Sequence, residues 1–221
     1  MNTSKVPDVD DVKQSRAEKA AGTRQRMLDA AYELFCELGY RATTMTAIAE
    51  RAQVAVQTLY FTFHTKDALL QEVHNQTVLG RDATPPEQQP WYLATRAQTD
   101  PRRAVGLIVT GVATILSRVA PMLPVFHAVA ADEAGAVHRQ AERLRRVGMN
   151  DLADFLADQG WLRADVDRAR ASDLFFVLLG PEIYRTFVLE LGWSLEGWAA
   201  WTTEALVRDL IDVDPASQQG C

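Results

Sequence analysis

Cysteine is nearly absent from this chain. Two residues, Cys36 and Cys221, cannot build a disulfide scaffold or a four-thiolate zinc site. Glycine and proline are sparse, at 12 and 9 of 221 residues, which excludes collagen-like and low-complexity architectures. There is no sustained alternation of period two and no Asn-Gly or Asp-Gly hairpin turn, so a β fold has no sequence support. No uncharged run reaches the roughly 20 residues of a membrane span. The longest, Ala104 to Ser117, is closed by Arg118 and followed by Pro121 and Pro124, and reads as a buried core helix. The first residues carry acids where a signal peptide needs an apolar stretch, which predicts a cytoplasmic protein without membrane association.

Enzyme signatures are missing too. The chain lacks a Gly-x-x-x-x-Gly-Lys-Ser/Thr phosphate loop, a Gly-x-Gly-x-x-Gly turn and a His-Glu-x-x-His pair. Gly192-Trp193-Ser194 opens like a nucleophile elbow, but Glu196 stands where the closing glycine belongs. His64, His74, His127 and His138 have no metal-ligand spacing, and Cys36 lies beside an apolar stripe as packing. The expectation is a non-enzyme with no catalytic residue, metal or cofactor.

The composition that remains, 48% apolar and 24% charged, is that of a folded soluble chain. The net charge of −6 disfavours nucleic-acid affinity over the whole surface, yet the charge is uneven: residues 13 to 81 carry nine basic and seven acidic side chains, the remainder to 221 thirteen and nineteen. Lys13, Arg16, Lys19, Arg24 and Arg26 form a short basic stretch able to meet phosphates, or simply a solvated face.

Helical periodicity runs throughout and predicts an all-α fold. Met27, Leu28, Ala31, Leu34, Phe35 and Leu38 share one face of a first helix that Gly39 should stop. Short helices follow at about 44–52 and 56–62, and a fourth starts at Lys66 behind a capping Thr65. The Pro-rich segment 82–90 reads as a domain boundary. Helices are then expected at about 101–119, through about 159, at 168–191 with a kink at Pro181, and at 195–212. The resulting division is a flexible basic arm (1–19), a three-helix domain with a helix-turn-helix (20–81), a larger helical domain (82–214) and a disordered tail (215–221).

Residues 44 to 62 have helix-turn-helix spacing. Ile48 and Ala49 face inward from the first helix, and Val54, Leu59 and Phe63 fix the second across it. The second helix would expose Val56, Gln57, Thr58, Tyr60, Phe61 and Thr62 toward a major groove about 12 Å wide. Gln57 has the bidentate amide that suits adenine, while Val56 and Phe61 suit thymine methyls. Spacing alone leaves an ordinary small helical bundle equally open.

The run Thr23 to Leu70, "TRQRMLDAAYELFCELGYRATTMTAIAERAQVAVQTLYFTFHTKDALL", resembles the DNA-binding domain of TetR-family transcriptional regulators. The similarity includes Leu38-Gly39-Tyr40, Thr43-Thr44, Ile48-Ala49, Thr58-Leu59-Tyr60, Phe63 and Thr65-Lys66. It implies phosphate contacts from Thr44, Thr58, Tyr60 and Lys66, and base contacts from Val56, Gln57, Phe61 and Thr62. Three positions depart from the family pattern: Gln53 replaces a frequent turn glycine, Ala55 a capping Ser or Thr, and Gln57 a frequent glycine. The resemblance also implies a homodimer, a small lipophilic effector and a palindromic operator in double-stranded DNA, with the protein a repressor. The competing reading is an all-α ligand-binding protein or enzyme whose N-terminal helices are structural only.

For the C-terminal part, the stretch 174–191 is apolar on nearly every face and needs cover on two sides, either wholly within one subunit or partly from a second. Gly180 to Leu206 resembles the last two helices of TetR relatives. The expected dimer interface is Leu174, Leu178, Tyr184, Phe187, Val188, Trp198 and Leu206. The expected effector pocket is Trp91, Ile108, Val112, Ile115, Met122, Phe126, His127, Phe155 and Phe175, an apolar set with one polar member.

Overall fold

A computed structural model describes residues 9–129 and 135–212. The chain divides into two compact units that meet between Val73 and His74, earlier than the Pro-rich segment suggests. The reason is that the helix starting at Lys66 runs unbroken to Leu79, so composition changes after the packing does.

In the first unit, α1 (Val9–Ala42) is interrupted at Gly39, whose φ of 78° is free of steric cost only for glycine. Helix continues back to Val9, so residues 9–19 of the expected flexible arm are helical, and residues 1–8 lie outside the described region. Beyond the break, buried Thr43 donates its hydroxyl to the carbonyls of Leu34 (3.0 Å) and Gly39 (2.8 Å), satisfying groups the helix end frees. α2 (Met45–Arg51) is capped by Thr44, whose hydroxyl accepts from the Ala47 N–H at 3.1 Å. α3 (Val56–Phe63) and α4 (Lys66–Leu79) follow, the latter capped by Thr65 as expected. Met27, Leu28, Ala31, Leu34 and Phe35 of α1 are buried, as are Ile48 and Ala49 of α2, Leu59 and Phe63 of α3, and Leu69, Leu70 and Val73 of α4. Leu38 and Cys36 depart from expectation and stand at the surface, because the core closes one turn earlier.

In the second unit, α5 (Pro90–Arg96) and α11 (Leu195–Leu210) pack on α6 (Pro101–Val119), and α8 (Gly135–Asp158) packs along α9 (Arg168–Leu178). α6 has the limits its sequence predicts: Asp100 accepts from the Arg102 and Arg103 N–H groups, and Pro101 opens the first turn. The segment Pro101–Ala128 is apolar enough to cross a membrane by composition, but half of its most apolar window is buried in the core. α7 (Leu123–Ala128) follows a single 3₁₀ turn, Ala120–Met122. The expected kinked helix at 168–191 is instead broken. Gly180 is extended (φ −80°, ψ 145°), Pro181 opens α10 (Pro181–Tyr184), and a π-helical turn, Arg185–Glu190, completes the segment. Trp198, Phe126, Phe175 and Ile108 are among the largest fully enclosed side chains. The expected tail 215–221 lies outside the described residues.

Candidate nucleic-acid interface and ligand cavity

α3 divides cleanly between an inner and an outer face. Leu59 and Phe63 are buried in the first unit's core, while Gln57, Thr58, Tyr60 (49%) and Phe61 (84%) are exposed. None of its eight residues is charged. Full exposure of a phenylalanine ring on a core-packed helix has no folding rationale, since burial would recover the apolar contribution that solvent now denies it. Val56 and Thr62 are half-buried at the flanks of that face, and the Thr62 hydroxyl donates back to the Thr58 carbonyl at 2.8 Å. The turn before α3 carries the strain its sequence predicts. Gln53 has φ 56°, which costs a non-glycine residue about 1–2 kcal/mol. Ala55 supplies no side-chain cap.

Thr44 is exposed at the start of α2 with its hydroxyl engaged in the cap. Lys66 behaves differently from a free phosphate ligand. Its ammonium donates to the carbonyls of Tyr40 and Thr43, both at 2.9 Å, and sits 4.2 Å from the centre of the Tyr40 ring. Partial burial holds its pKa below the usual lysine value. Tyr40 in turn donates its hydroxyl to Asp67. Lys66 therefore locks the end of α1 to the start of α4, with one N–H left for a phosphate. Lys66→Ala should accordingly destabilise the DNA-free chain by about 1–3 kcal/mol, the range for charge-assisted hydrogen bonds. A lowered Tm in calorimetry checks this; an unchanged Tm with weakened DNA binding would reduce Lys66 to a phosphate contact alone.

Other cations of this unit are also held internally. Arg51 pairs with Glu33 (3.0 Å) and Glu37 (3.1 Å), and Arg24 pairs with Glu72 at 2.8 Å. The exposed face of α3 thus offers apolar and neutral polar groups, which suits reading base edges more than binding phosphate by charge.

The second unit contains a cavity of about 630 Å³. Val112, Ile115, Leu116 and Val119 of α6 line one side, at helical spacing, and Met149 and Leu152 of α8 another. Trp91 forms part of the wall and lies directly against Gly111, where any side chain would overlap the indole. Of the expected pocket residues, Trp91, Val112 and Ile115 line the cavity. Ile108, Met122, Phe126, Phe155 and Phe175 do not: each is enclosed in packing, because their helices turn these side chains toward neighbouring helices. His127 is exposed, 3.9 Å from Glu182. The missed members come mostly from α4 and α8, with others from α5, α6 and the segments around Pro86 and Leu179. They include His74, Glu142, Arg145 and Met149. The only sequence cue to the α8 wall is Gly148, a small residue inside a helix.

Comparison with known proteins follows the same division. Residues 27–73 match the family model of bacterial regulatory proteins of the TetR family. The similarity to that family falls, in this match, within the first unit. A 54-residue segment is 43% identical to the uncharacterized HTH-type transcriptional regulator YvkB of Bacillus subtilis, covering 24% of this chain and 29% of that regulator. The chain thus spans under a third of that curated relative in the match. Over longer stretches the likeness is one of fold. NalD, described as the secondary repressor of the MexAB-OprM multidrug efflux pump in Pseudomonas aeruginosa, superposes with a TM-score of 0.64 at 23% identity, covering 90% of this chain and all of that one (100%). FadR of Bacillus subtilis, solved in complex with stearoyl-CoA, gives 0.64 at 16% identity, covering 83% and 97%. The all-α, two-part architecture is therefore a fold this chain shares with those structures.

The residues expected at a dimer interface separate into two groups. Tyr184, Trp198 and Leu206 are buried in the subunit's own core, with Tyr184 edge-on to Trp198 at 5.1 Å, and so are not available to a second chain. Leu174, Leu178, Phe187 and Val188 are partly buried against that core. The exposed apolar surface lies beside them: Val177, Leu189, Leu191, Trp193, Leu195 and Trp201. Phe187 stacks on Trp201 at 4.8 Å and meets Trp193 edge-on at the same distance, making a three-ring surface cluster.

Proposed function

We propose that the chain is a cytoplasmic homodimeric transcriptional repressor that places α3 of each subunit in successive major grooves of a palindromic operator. In this reading Val56, Gln57, Phe61 and Thr62 approach base edges. Thr44, Thr58, Tyr60 and the remaining N–H of Lys66 meet phosphates. The observation that carries the reading is the uncharged outer face of α3, with Phe61 almost fully exposed on a helix whose inner face is core. The TetR-family match over residues 27–73 adds the expectation of DNA binding. The surface cluster of Phe187, Trp193 and Trp201 supports self-association, since a contiguous exposed apolar patch of this kind marks an interface.

The cavity is read as the effector site. Its mainly apolar wall fits a lipophilic molecule, and a fold neighbour holds stearoyl-CoA. Release from DNA then requires a ligand that prefers one conformation of the protein over the other. α4 is the element to couple the two events, because it begins at Lys66 and contributes His74 and Val78 to the cavity wall. Selection from a random duplex pool tests the function: the expected product is a palindrome with half-sites about one turn, 34–36 Å, apart. Recovery of no enriched sequence would defeat it.

A further inference from the structure

Two features of the cavity wall bear on what it holds. The first is charge. Arg145, the one cation among the described lining residues, has all three guanidinium nitrogens engaged: Nε and Nη2 donate to Glu142 (3.0 and 2.7 Å), and Nη1 donates to the Phe176 carbonyl (2.7 Å). Its guanidinium carbon also lies 3.5 Å from the centre of the Phe176 ring. Asp151 is likewise occupied, accepting from Arg96 at 2.7 Å and from the Tyr92 hydroxyl at 2.5 Å. An anionic ligand therefore meets one cation whose charge is already balanced by Glu142, with two guanidinium N–H groups left over, against the carboxylates of Glu87, Glu142 and Asp151. A cationic ligand must leave water for a wall whose two inner carboxylates already have arginine partners.

The second feature is His74. The residue is 5% exposed and lines the cavity, and its Nδ1 has no hydrogen-bond partner. Phe126 packs edge-on against the ring at 5.0 Å and holds it in place. Burial pushes its pKa down to about 4, so the imidazole is neutral near pH 7. A neutral imidazole on the cavity wall is matched by a hydroxyl, which gives or takes the hydrogen bond whichever tautomer the ring adopts.

We propose that the cavity binds an uncharged, predominantly apolar molecule carrying a hydroxyl group, and that His74 receives that hydroxyl. The inference rests on reading the cavity as the effector site. It narrows the effector from any lipophile to a neutral alcohol or phenol, and it sets this chain apart from a neighbour that holds an acyl-CoA, whose phosphates demand free cations.

Calorimetric titration of the full chain with 1-decanol, decanoate and decylammonium tests it, since the three share one alkyl length and differ in charge. The alcohol should bind about tenfold more tightly than either ion. His74→Phe keeps the aromatic packing and should remove most of that preference, whereas His74→Gln keeps a donor and an acceptor and should retain it. Ile115→Trp fills the cavity and should abolish binding of all three. Equal or tighter binding of either ion, still blocked by Ile115→Trp, overturns the neutral-ligand assignment and leaves the effector site standing. A preference for decanol that survives His74→Phe overturns the part given to His74. Absence of binding by every probe, or binding that ignores Ile115→Trp, overturns the cavity reading together with the inference.

Discussion

A chain carrying both Tyr60→Ala and Phe61→Ala should bind its selected operator about 100-fold more weakly than the parent while melting at the same temperature. The two halves of this expectation have separate causes. Phe61 is 84% exposed and Tyr60 49%, while α3 is held to the core by Leu59 and Phe63. Truncating the outer rings therefore removes little that stabilises the fold. In the proposed complex, Phe61 is expected to give apolar contact to base edges and Tyr60 a hydroxyl to the backbone, each worth about 1–3 kcal/mol. Fluorescence anisotropy with operator DNA, run beside calorimetry of the free protein, separates the effects. Parent-like affinity for the double variant would remove α3 from the interface altogether.

Trp201→Glu should sediment as a monomer at concentrations where the parent is a dimer, with the dissociation constant raised about a thousandfold. Trp201 is 39% exposed and stacks on Phe187 at 4.8 Å within the three-ring surface cluster. A second subunit covering this cluster would enclose the new carboxylate without a partner, a cost of several kcal/mol for a buried unpaired charge. The monomer itself should fold, because the neighbouring Trp198 and Leu206 carry the core on α11 and are untouched. Equilibrium sedimentation decides the matter. A parent chain that is already monomeric at micromolar concentration would contradict the interface, and so would a Trp201→Glu chain that remains dimeric.

Local signals proved reliable wherever the physical cause was local. α6 begins and ends where Asp100, Pro101 and Arg118 place it. Gly39 adopts positive φ where the first helix was expected to stop, and Gln53 is left-handed at the turn where the family usually has glycine. Thr44 and Thr65 cap the helices they precede. Each outcome depends on backbone torsions and hydrogen bonds spanning only a few residues, so neighbours in sequence decide it.

The break at Gly180-Pro181 shows where such reading stops short. Proline predicts an interruption, but a kink and a full restart differ only in whether surrounding packing tolerates the extended Gly180. Lys66 is a second case. Its role as a lock on the Tyr40 and Thr43 carbonyls depends on the end of α1 arriving beside the start of α4.

Taken alone, the sequence determined that the chain is helical, that residues 44–62 carry two short helices at helix-turn-helix spacing, and that both units have substantial apolar faces, because period, caps and chain stiffness are local properties. Only tertiary structure decided which apolar residues look inward. Trp198 and Trp201 are chemically identical and three positions apart, yet one is core and the other surface, since the helix presents them to different neighbours. The same holds for the cavity, where α8 supplies Arg145 and Met149 opposite α6. Long-range packing brings those helices face to face, and no periodicity within either one encodes the other's position.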